Sequence, residues 1–258
     1  MGILNVTPDS FFDGGKYAGE KSIIKRAGQM ASEGAVIIDI GGYSSRPGAK
    51  HIGELIERDR VIPAIRWVAR EFPELVISVD TFRSAIAKEA VECGAAMVND
   101  ISGGNLDKKM FSVIGELHVP YILMHIQGVP QTMQKNPVYK DIVKEIIAFF
   151  CEKTQQLNAM GVADIILDPG FGFGKTLEHN YTLLNRLDEF RVFDLPILAG
   201  ISRKSMITKL LGVEPAQALN GTTALHFMAL MKGVNILRVH DVKEAMEVVR
   251  ITNFIKSQ

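Results

Sequence analysis

Eight short apolar runs, each followed by a helical pattern, fill 258 residues without a break that would mark a domain boundary. Each run leads into a polar residue. With a length close to the ~250 residues of a closed parallel barrel, these observations predict an α/β fold. The expectation is a single (β/α)8 TIM barrel over residues 1–258, with its active site at the C-terminal rim of the strands.

The strands are expected at residues 2–5, 35–40, 75–80, 96–101, 119–124, 164–168, 195–199 and 234–239, short apolar stretches of the kind that buried parallel strands use. Ile23, Ile24, Ala27, Met30 and Ala31 recur at helical spacing after the first strand. Ile142, Val143, Ile146, Ile147 and Phe150 do so after the fifth, and Leu183, Leu184, Leu187 and Phe190 after the sixth. Gly34, Gly94, Gly161 and Gly233 fall between a helix and the next strand, where a left-handed cap suits glycine. Asp107 and Asp241 stand where helix N-caps belong. Pro63 lies inside the second helical pattern and should kink or split it.

Residues 164–175 are the unit around which the chain is read. Asp164 to Leu167 is a strand, Asp168 ends it, and Pro169 with Gly170, Gly172 and Gly174 forces a turn before the next helix. Gly174-Lys175-Thr176 matches the tail of a nucleotide phosphate loop. Five positions before Gly174, however, stands Pro169, where that loop needs glycine to turn its amides toward phosphate. A phosphate loop is therefore not expected. Taken alone, Asp168 could simply cap its own turn.

It does not stand alone. The strands end at Asn5, Asp39, Asp80, Asn99-Asp100, His125 and Asp168, the seventh leads into Ser202-Arg203-Lys204, and the eighth ends at Arg238 with His240 just beyond. Parallel strands point one way, so these groups converge on one rim, where barrels of this kind carry their sites. A single strand-end Asp or Asn commonly satisfies turn amides; eight polar ends together define a site. Asp80, Asn99 and Asp168 can donate and accept hydrogen bonds to a flat heterocycle bearing amino and lactam groups. Lys204, Arg238 and His240 follow strands seven and eight, where barrels commonly bind phosphate, and arginine supplies a fork for such an anion.

Composition excludes several other classes. Lys and Arg balance Asp and Glu at 29 each, so net charge implies no nucleic-acid or membrane-surface partner. No apolar run reaches the ~18 residues of a membrane span. No basic segment precedes Ile3, so no signal peptide is expected. The two cysteines, Cys93 and Cys151, lie in helical patterns, which points to a reducing, cytoplasmic setting. No pair of histidines has metal-ligand spacing; His51, His118, His179 and His226 read as surface or structural. Neither a nucleophile elbow nor a Cys–His pair is present.

The motifs also resemble those of a known family. Met1 to Phe11 followed by Asp13-Gly14-Gly15, and Asp39-Ile-Gly-Gly42 followed by Ser44-Ser-Arg-Pro-Gly48, are similar to the two opening signatures of dihydropteroate synthases. Ser78-Val-Asp80-Thr, Val98-Asn-Asp100, Leu123-Met-His125, Asp168 to Lys175, Ser202-Arg-Lys204 and Arg238-Val-His240-Asp241 match in order and spacing over essentially the whole chain. The resemblance implies a barrel that joins 6-hydroxymethyl-7,8-dihydropterin pyrophosphate to p-aminobenzoate, releasing pyrophosphate and 7,8-dihydropteroate for folate synthesis. It implies that Asp80, Asn99, Asp168 and Lys204 hold the pterin over an apolar floor at Met124. Asn5, with Mg²⁺, would then meet the pyrophosphate together with Ser45, Arg46, Arg238 and His240. Phe173, Ser202, Arg46 and Pro47 would border p-aminobenzoate, and Asp13 and Arg46 would sit on two closing loops. Asn5, Lys204, Arg238 and His240 would be the catalytic set. A homodimer formed through late helices is likewise implied.

Two features depart from the pattern: Tyr43 stands where a glutamate or small residue is expected, and the chain opens on its first barrel strand. The implied chemistry needs no activated nucleophile, since a neutral arylamine attacks a pterin cation left by departing pyrophosphate. What it needs is charge stabilisation and a fixed, partly dry ring pocket. Residues 9–19 and 42–53, glycine-rich and polar, should be mobile when the site is empty, so pyrophosphate-bearing pterin should bind before the arylamine. The rival readings are a pterin-dependent methyltransferase, which would lack the Asn5–Phe11 loop and the Ser202-Arg-Lys204 turn, and a non-catalytic pterin-binding relative.

Overall fold

The structure, a computed structural model, describes residues 1–7, 19–44 and 51–258. Its parallel strands are β1 (Gly2–Asn5), β2 (Ile37–Gly41), β3 (Val76–Asp80), β4 (Met97–Asp100), β5 (Tyr121–Met124), β6 (Ile165–Asp168), β7 (Leu198–Ala199) and β8 (Ile236–Leu237). β1 to β6 pair in sequence order and β7 pairs β8. Bridges between Leu167 and Ile197 and between Gly2 and Val239 close both seams, the latter with the Ile3 amide on the Val239 carbonyl at 2.9 Å. The result is the expected (β/α)8 barrel. Its helices are α1 (Glu20–Ser32), α2 (Glu54–Glu71), α3 (Ser84–Glu92), α4 (Met110–Leu117), α5 (Ile142–Ala159), α6 (Leu177–Asn185), α7 (Ser205–Leu211), α8 (Leu219–Met231) and α9 (Val242–Lys256).

The two-residue period of a strand sorts its side chains between two cores. Ile38, Ile40, Ile77, Val79, Val98, Tyr121, Leu123, Ile165 and Leu167 join the large core shared with the helices. The alternate positions point inward. Low in the barrel, Met97, Ile122, Ile166 and Leu198 pack together with Met1, Ile37 and Ile236, so the lower interior is a filled apolar layer. One step up the same strands the inward residues turn polar: Ser78 and Asp80, Asn99, Asp168. Asn5, Gly41, Asp80 and Asn99 align in one register row across β1 to β4, and Met124 is level with Asp168. The site is therefore the upper layer of the barrel interior.

Gly34, Gly94, Gly161 and Gly233 all take positive φ, as expected. Two local expectations need correcting. Pro63 does not split its helix: α2 runs through it, carried by Val61, Ile62, Ala64, Ile65 and Val68 buried on both sides. Asp107 is not itself the N-cap of α4, which is Lys109. Its carboxylate joins two helix starts, accepting from the Lys109 amide at 2.9 Å ahead of α4 and from the Ser84 amide at 2.8 Å at the start of α3. Asp241 is the N-cap of α9, as expected, though without a side-chain cap bond; its carboxylate is held by Arg203.

Candidate active site

Arg238, at the end of β8, ties the site together. Its Nε donates to Asp39 Oδ2 and its Nη2 to Asp80 Oδ2, each at 2.6 Å. Burial works against the guanidinium charge, but Asp39 and Asp80 outweigh it and hold the group protonated above its usual range. Asp39 was expected at a strand end. It lies instead two residues inside β2, fully buried, where Asn99 Nδ2 also donates to it at 3.0 Å. Burial pushes Asp80 up to about 7, with Asp39, Asp100 and Asp168 adding to the shift and Arg238 opposing it. Gly41 leaves the room this carboxylate needs: a Cβ there would come within 3.2 Å of Asp80 Cβ. Asn99 Oδ1 and Asp39 Oδ1 are buried acceptors with no donor among the described residues. Buried unpaired oxygens are uncommon enough to call for an external donor.

Asp168 forms the facing wall. Its Oδ1 accepts from the Gly170 amide at 2.8 Å, and burial raises its pKa against the pull of Lys204, the Gly170 amide, Arg238 and Lys175. The glycine loop that follows is the reverse of a phosphate loop. Gly170, Gly172 and Gly174 adopt φ of 72°, 79° and 63°, and each carbonyl from Gly170 to Gly174 meets a side-chain donor. Lys175 Nζ donates to Gly170 O at 2.8 Å and Phe173 O at 3.1 Å. Lys204 Nζ donates to Phe171 O, Gln134 Nε2 to Gly172 O, and the Tyr139 hydroxyl to Gly174 O. Amides bind anions; gathered carbonyls bind cations, and here the cations are two lysines. Burial lowers Lys175 to about 7 and Lys204 to about 8. His125, 3.1 Å from Lys175 Nζ, is driven by burial and that cation to about 2 and stays neutral.

The turn after β7 divides its three polar residues. Ser202 is buried, with its Oγ accepting from the His240 amide at 3.2 Å and lying 3.1 Å from His240 Nδ1. Arg203 takes a left-handed φ of 55° and faces away, paired with Asp241 at 2.5 and 2.9 Å. Lys204 turns back over the Phe173 ring, 4.5 Å from its centre. Met124 joins a small apolar cluster with Tyr43, Phe82, Ile101, Ile126 and Met133, against which Phe173 packs. Asn5 is half-buried at the end of β1. Asp13, Ser45, Arg46 and Pro47, with most of both loops expected to be mobile, lie outside the described residues.

The structure thus brings Asn99, Asp80, Asp168, Lys204, Arg238, Ser202 and His240 to one end of the barrel. Asp100 serves its own turn, accepting from the amides of Ser102 and Gly104 and the Tyr121 hydroxyl. His179 completes a capping box with Thr176, and His118 ends α4 in a left-handed cap. Sequence reasoning passed over Lys175 once the phosphate loop was set aside, and the pairing of Arg238 with Asp39. In neither case does any spacing in the sequence signal the contact.

A barrel whose inner rim offers buried carboxylates and a carboxamide beside a doubly paired arginine defines a binder of flat polar rings. The sequence profile of the pterin binding enzymes matches residues 1–240, and the chain belongs to that family. It is 46% identical over 253 residues to the dihydropteroate synthase of Escherichia coli K12, covering 97% of this chain and 89% of that protein. The Yersinia pestis dihydropteroate synthase solved in a sulfonamide drug complex superposes with a TM-score of 0.95 at 44% identity, covering 100% of this chain and 94% of that one. The Xanthomonas albilineans dihydropteroate synthase solved with 4-aminobenzoic acid gives 0.93 at 36% identity, covering 100% and 92%.

Proposed function

We propose that the chain carries out the dihydropteroate synthase reaction, a transfer of the dihydropterin methylene group from pyrophosphate to p-aminobenzoate. The bond from the exocyclic carbon to the pyrophosphate oxygen breaks, and that oxygen keeps the electron pair. The arylamine nitrogen then bonds to the carbon and gives up a proton. The observation that carries this reading is the buried Asn99 Oδ1, an acceptor without a donor among the described residues, on a row that also presents Asp80. A pterin offers the ring NH and amino donors such a slot lacks. In this reading Asp80, Asn99 and Asp168 hold the ring over Met124, and Lys204 balances Asp168.

Arg238 spends Nε and Nη2 on carboxylates, and its Nη1 makes no hydrogen bond to a described residue. That donor is the one assigned to the leaving pyrophosphate, beside His240 and the loop residues Ser45 and Arg46. Ser202 acts by fixing the His240 ring, and Phe173 borders the arylamine; the roles the resemblance gives Pro47, Asp13 and Arg46 fall on residues outside those described. Among the described residues no three His, Cys, Asp or Glu side chains could together hold a metal. If a Mg²⁺ ion arrives with the pyrophosphate, Asn5 would be the residue to hold it, as a neutral oxygen ligand, and the ion would supply screening of the charge on the leaving group. Asn5 supports this, since its carboxamide makes no hydrogen bond to a described residue.

We also propose a homodimer. Phe227 and Met231 on α8 and Ile251, Phe254 and Ile255 on α9 are exposed on helices that pack side by side, an apolar face that a second copy would cover. Among the described residues no helix is long and apolar enough to cross a membrane, and we place the reaction in the cytoplasm, where Cys93 and Cys151 stay free thiols. The test is a coupled assay of pyrophosphate release with and without p-aminobenzoate. Release that depends on the arylamine supports the reading; substrate that binds but releases no pyrophosphate points to the non-catalytic relative.

A further inference from the structure

Beyond His125 the loop between β5 and α5 carries none of the motifs that make up the resemblance, yet it spans the rim. Gln127 closes it on itself, donating to Val138 O at 3.0 Å and accepting from the Val138 amide at 3.2 Å. From one side of this closed loop Gln131 Nε2 donates to the Tyr43 hydroxyl at 2.7 Å. From the other, Gln134 Nε2 donates to the Gly172 carbonyl. Between them Met133 is buried in the small apolar cluster with Tyr43, Phe82 and Met124. One loop thus links the stem of the β2 loop to the glycine loop after β6.

Tyr43 is well placed for such a link. Its ring stands edge-on to Phe82 at 5.0 Å, with the Arg83 guanidinium 5.7 Å from its centre. Its hydroxyl also lies 3.3 Å from His51 Nδ1, so both ends of the 43–51 segment meet at this one oxygen. Arg83 donates in turn to the Ile52 carbonyl at 2.7 Å. This is the position where the sequence departs from the family pattern, and the hydroxyl gives the departure a physical role. On the far side, Gln134 holds the carbonyl next to Phe173, whose ring packs against the same apolar cluster. Gln134 and Pro137 also wall a cavity of about 210 Å³ shared with Ser205, Met206 and Lys209 at the start of α7.

We propose that Gln131 and Gln134 are positioning residues for the arylamine half of the site, Gln131 acting through Tyr43 and Gln134 through the Gly172–Phe173 backbone. The inference rests on the dihydropteroate synthase reading, because that reading is what gives Phe173 to the arylamine. Neither glutamine is part of the ring slot formed by Asp80, Asn99 and Asp168. Loss of the strap should therefore separate the two substrates: the arylamine pocket loosens while the pterin slot keeps its shape.

Both glutamines are exposed, so Gln131→Met and Gln134→Met should fold. Each should raise the KM for p-aminobenzoate about five- to tenfold, the effect of one lost hydrogen bond, with the pterin dissociation constant within about twofold of wild type. Tyr43→Phe should be at least as severe as Gln131→Met, because it also removes the contact with His51, and the Tyr43→Phe/Gln131→Met double variant should be no worse than Tyr43→Phe alone, since the bond between the two side chains is already gone. Calorimetry of p-aminobenzoate binding to enzyme loaded with phosphate-free pterin and pyrophosphate gives the same comparison without turnover. Unchanged arylamine affinity in folded single variants overturns the proposal, as does equal weakening of both substrates or an additive double variant. Wild-type enzyme that releases pyrophosphate normally in those cases leaves the functional reading intact. Wild-type enzyme that binds no arylamine overturns both.

Discussion

Arg238→Lys keeps a positive charge at the rim and removes the fork. In the native site one guanidinium serves two carboxylates on different strands, each at 2.6 Å. An ammonium is a compact donor on a flexible stem, and it can sit on only one of them. The Asp39 side chain is 0% exposed and that of Asp80 16%, so the greater desolvation of Asp39 claims the ammonium. Asp80 then loses a charge-assisted bond, about 1.5–3 kcal/mol. The loss carries a pH signature. Asp80 already lies at about 7 because of burial, with Arg238 opposing the rise; weaker opposition moves it further up. A carboxyl whose folded value exceeds its unfolded value holds an extra proton in the native state. The stability tied to that proton is present at low pH and is lost as pH rises through the folded value. At about pH 5 Asp80 is neutral in both proteins and the deficit is small. Above pH ~7 the wild type begins to hold an ion pair that the variant cannot, and the deficit grows. Urea denaturation at about pH 5 and 9 measures this difference, and the acid limb of kcat/KM should move upward with it. Equal destabilisation at both pH values, within about 0.5 kcal/mol, would refute the sharing of Arg238 between Asp39 and Asp80.

Three further outcomes are expected. Asp168→Asn should fold but bind pterin more weakly by about 1.5–3 kcal/mol in calorimetry, as charge-assisted bonds become neutral ones. Lys175→Met should cost about 3–5 kcal/mol in urea denaturation, because two buried carbonyls lose their donor. Since Lys175 lies at about 7 when folded and near 10.5 otherwise, the unfolded chain binds the extra proton in that window. Wild-type stability should therefore rise as pH increases from about 7, and the variant should lack much of this rise. Phe254→Asp, at the most exposed of the five apolar side chains on the α8–α9 face, should shift sedimentation from dimer to monomer at equal protein concentration, with the barrel's circular dichroism unchanged.

The barrel was legible because each of its eight strands is short, apolar and followed by a helical period, and closure requires no further code than that repetition. The rim was legible for the same reason: the residue where an apolar run stops is the one that faces the open end. What was not legible is which of those groups meet. Asp39 reads as a strand end, but β2 continues to Gly41 and buries it a layer lower, where Arg238 reaches it from 199 positions away. The division of the rim into a ring slot and an anion site was likewise too clean, since the guanidinium assigned to the anion holds the ring slot's Asp80. Contacts of this kind depend on how far the strands are staggered around the barrel, which no run of residues encodes locally.

The glycine loop shows most directly how one local sequence can serve opposite electrostatics. Gly174-Lys175-Thr176 is the spacing a phosphate loop uses, and the difference lies in which backbone group is left facing inward. Here the amides of Gly170 and Gly172 are consumed at once, by Asp168 Oδ1 and by Asn180 Oδ1 at 2.7 Å. The carbonyls are what remain, and they draw in Lys175, which becomes buried, 3% exposed. A lysine bound this way cannot reach for phosphate. It fixes the shape of the loop and sets a positive charge behind Asp168, whose carboxylate, on the proposed reading, accepts a ring's NH groups in a buried slot. With Lys204 on the other side, the loop converts two cations that would ordinarily suggest anion binding into support for one carboxylate. On the proposed reading the pyrophosphate then falls to the part of the rim where Asn5, Arg238 and His240 stand.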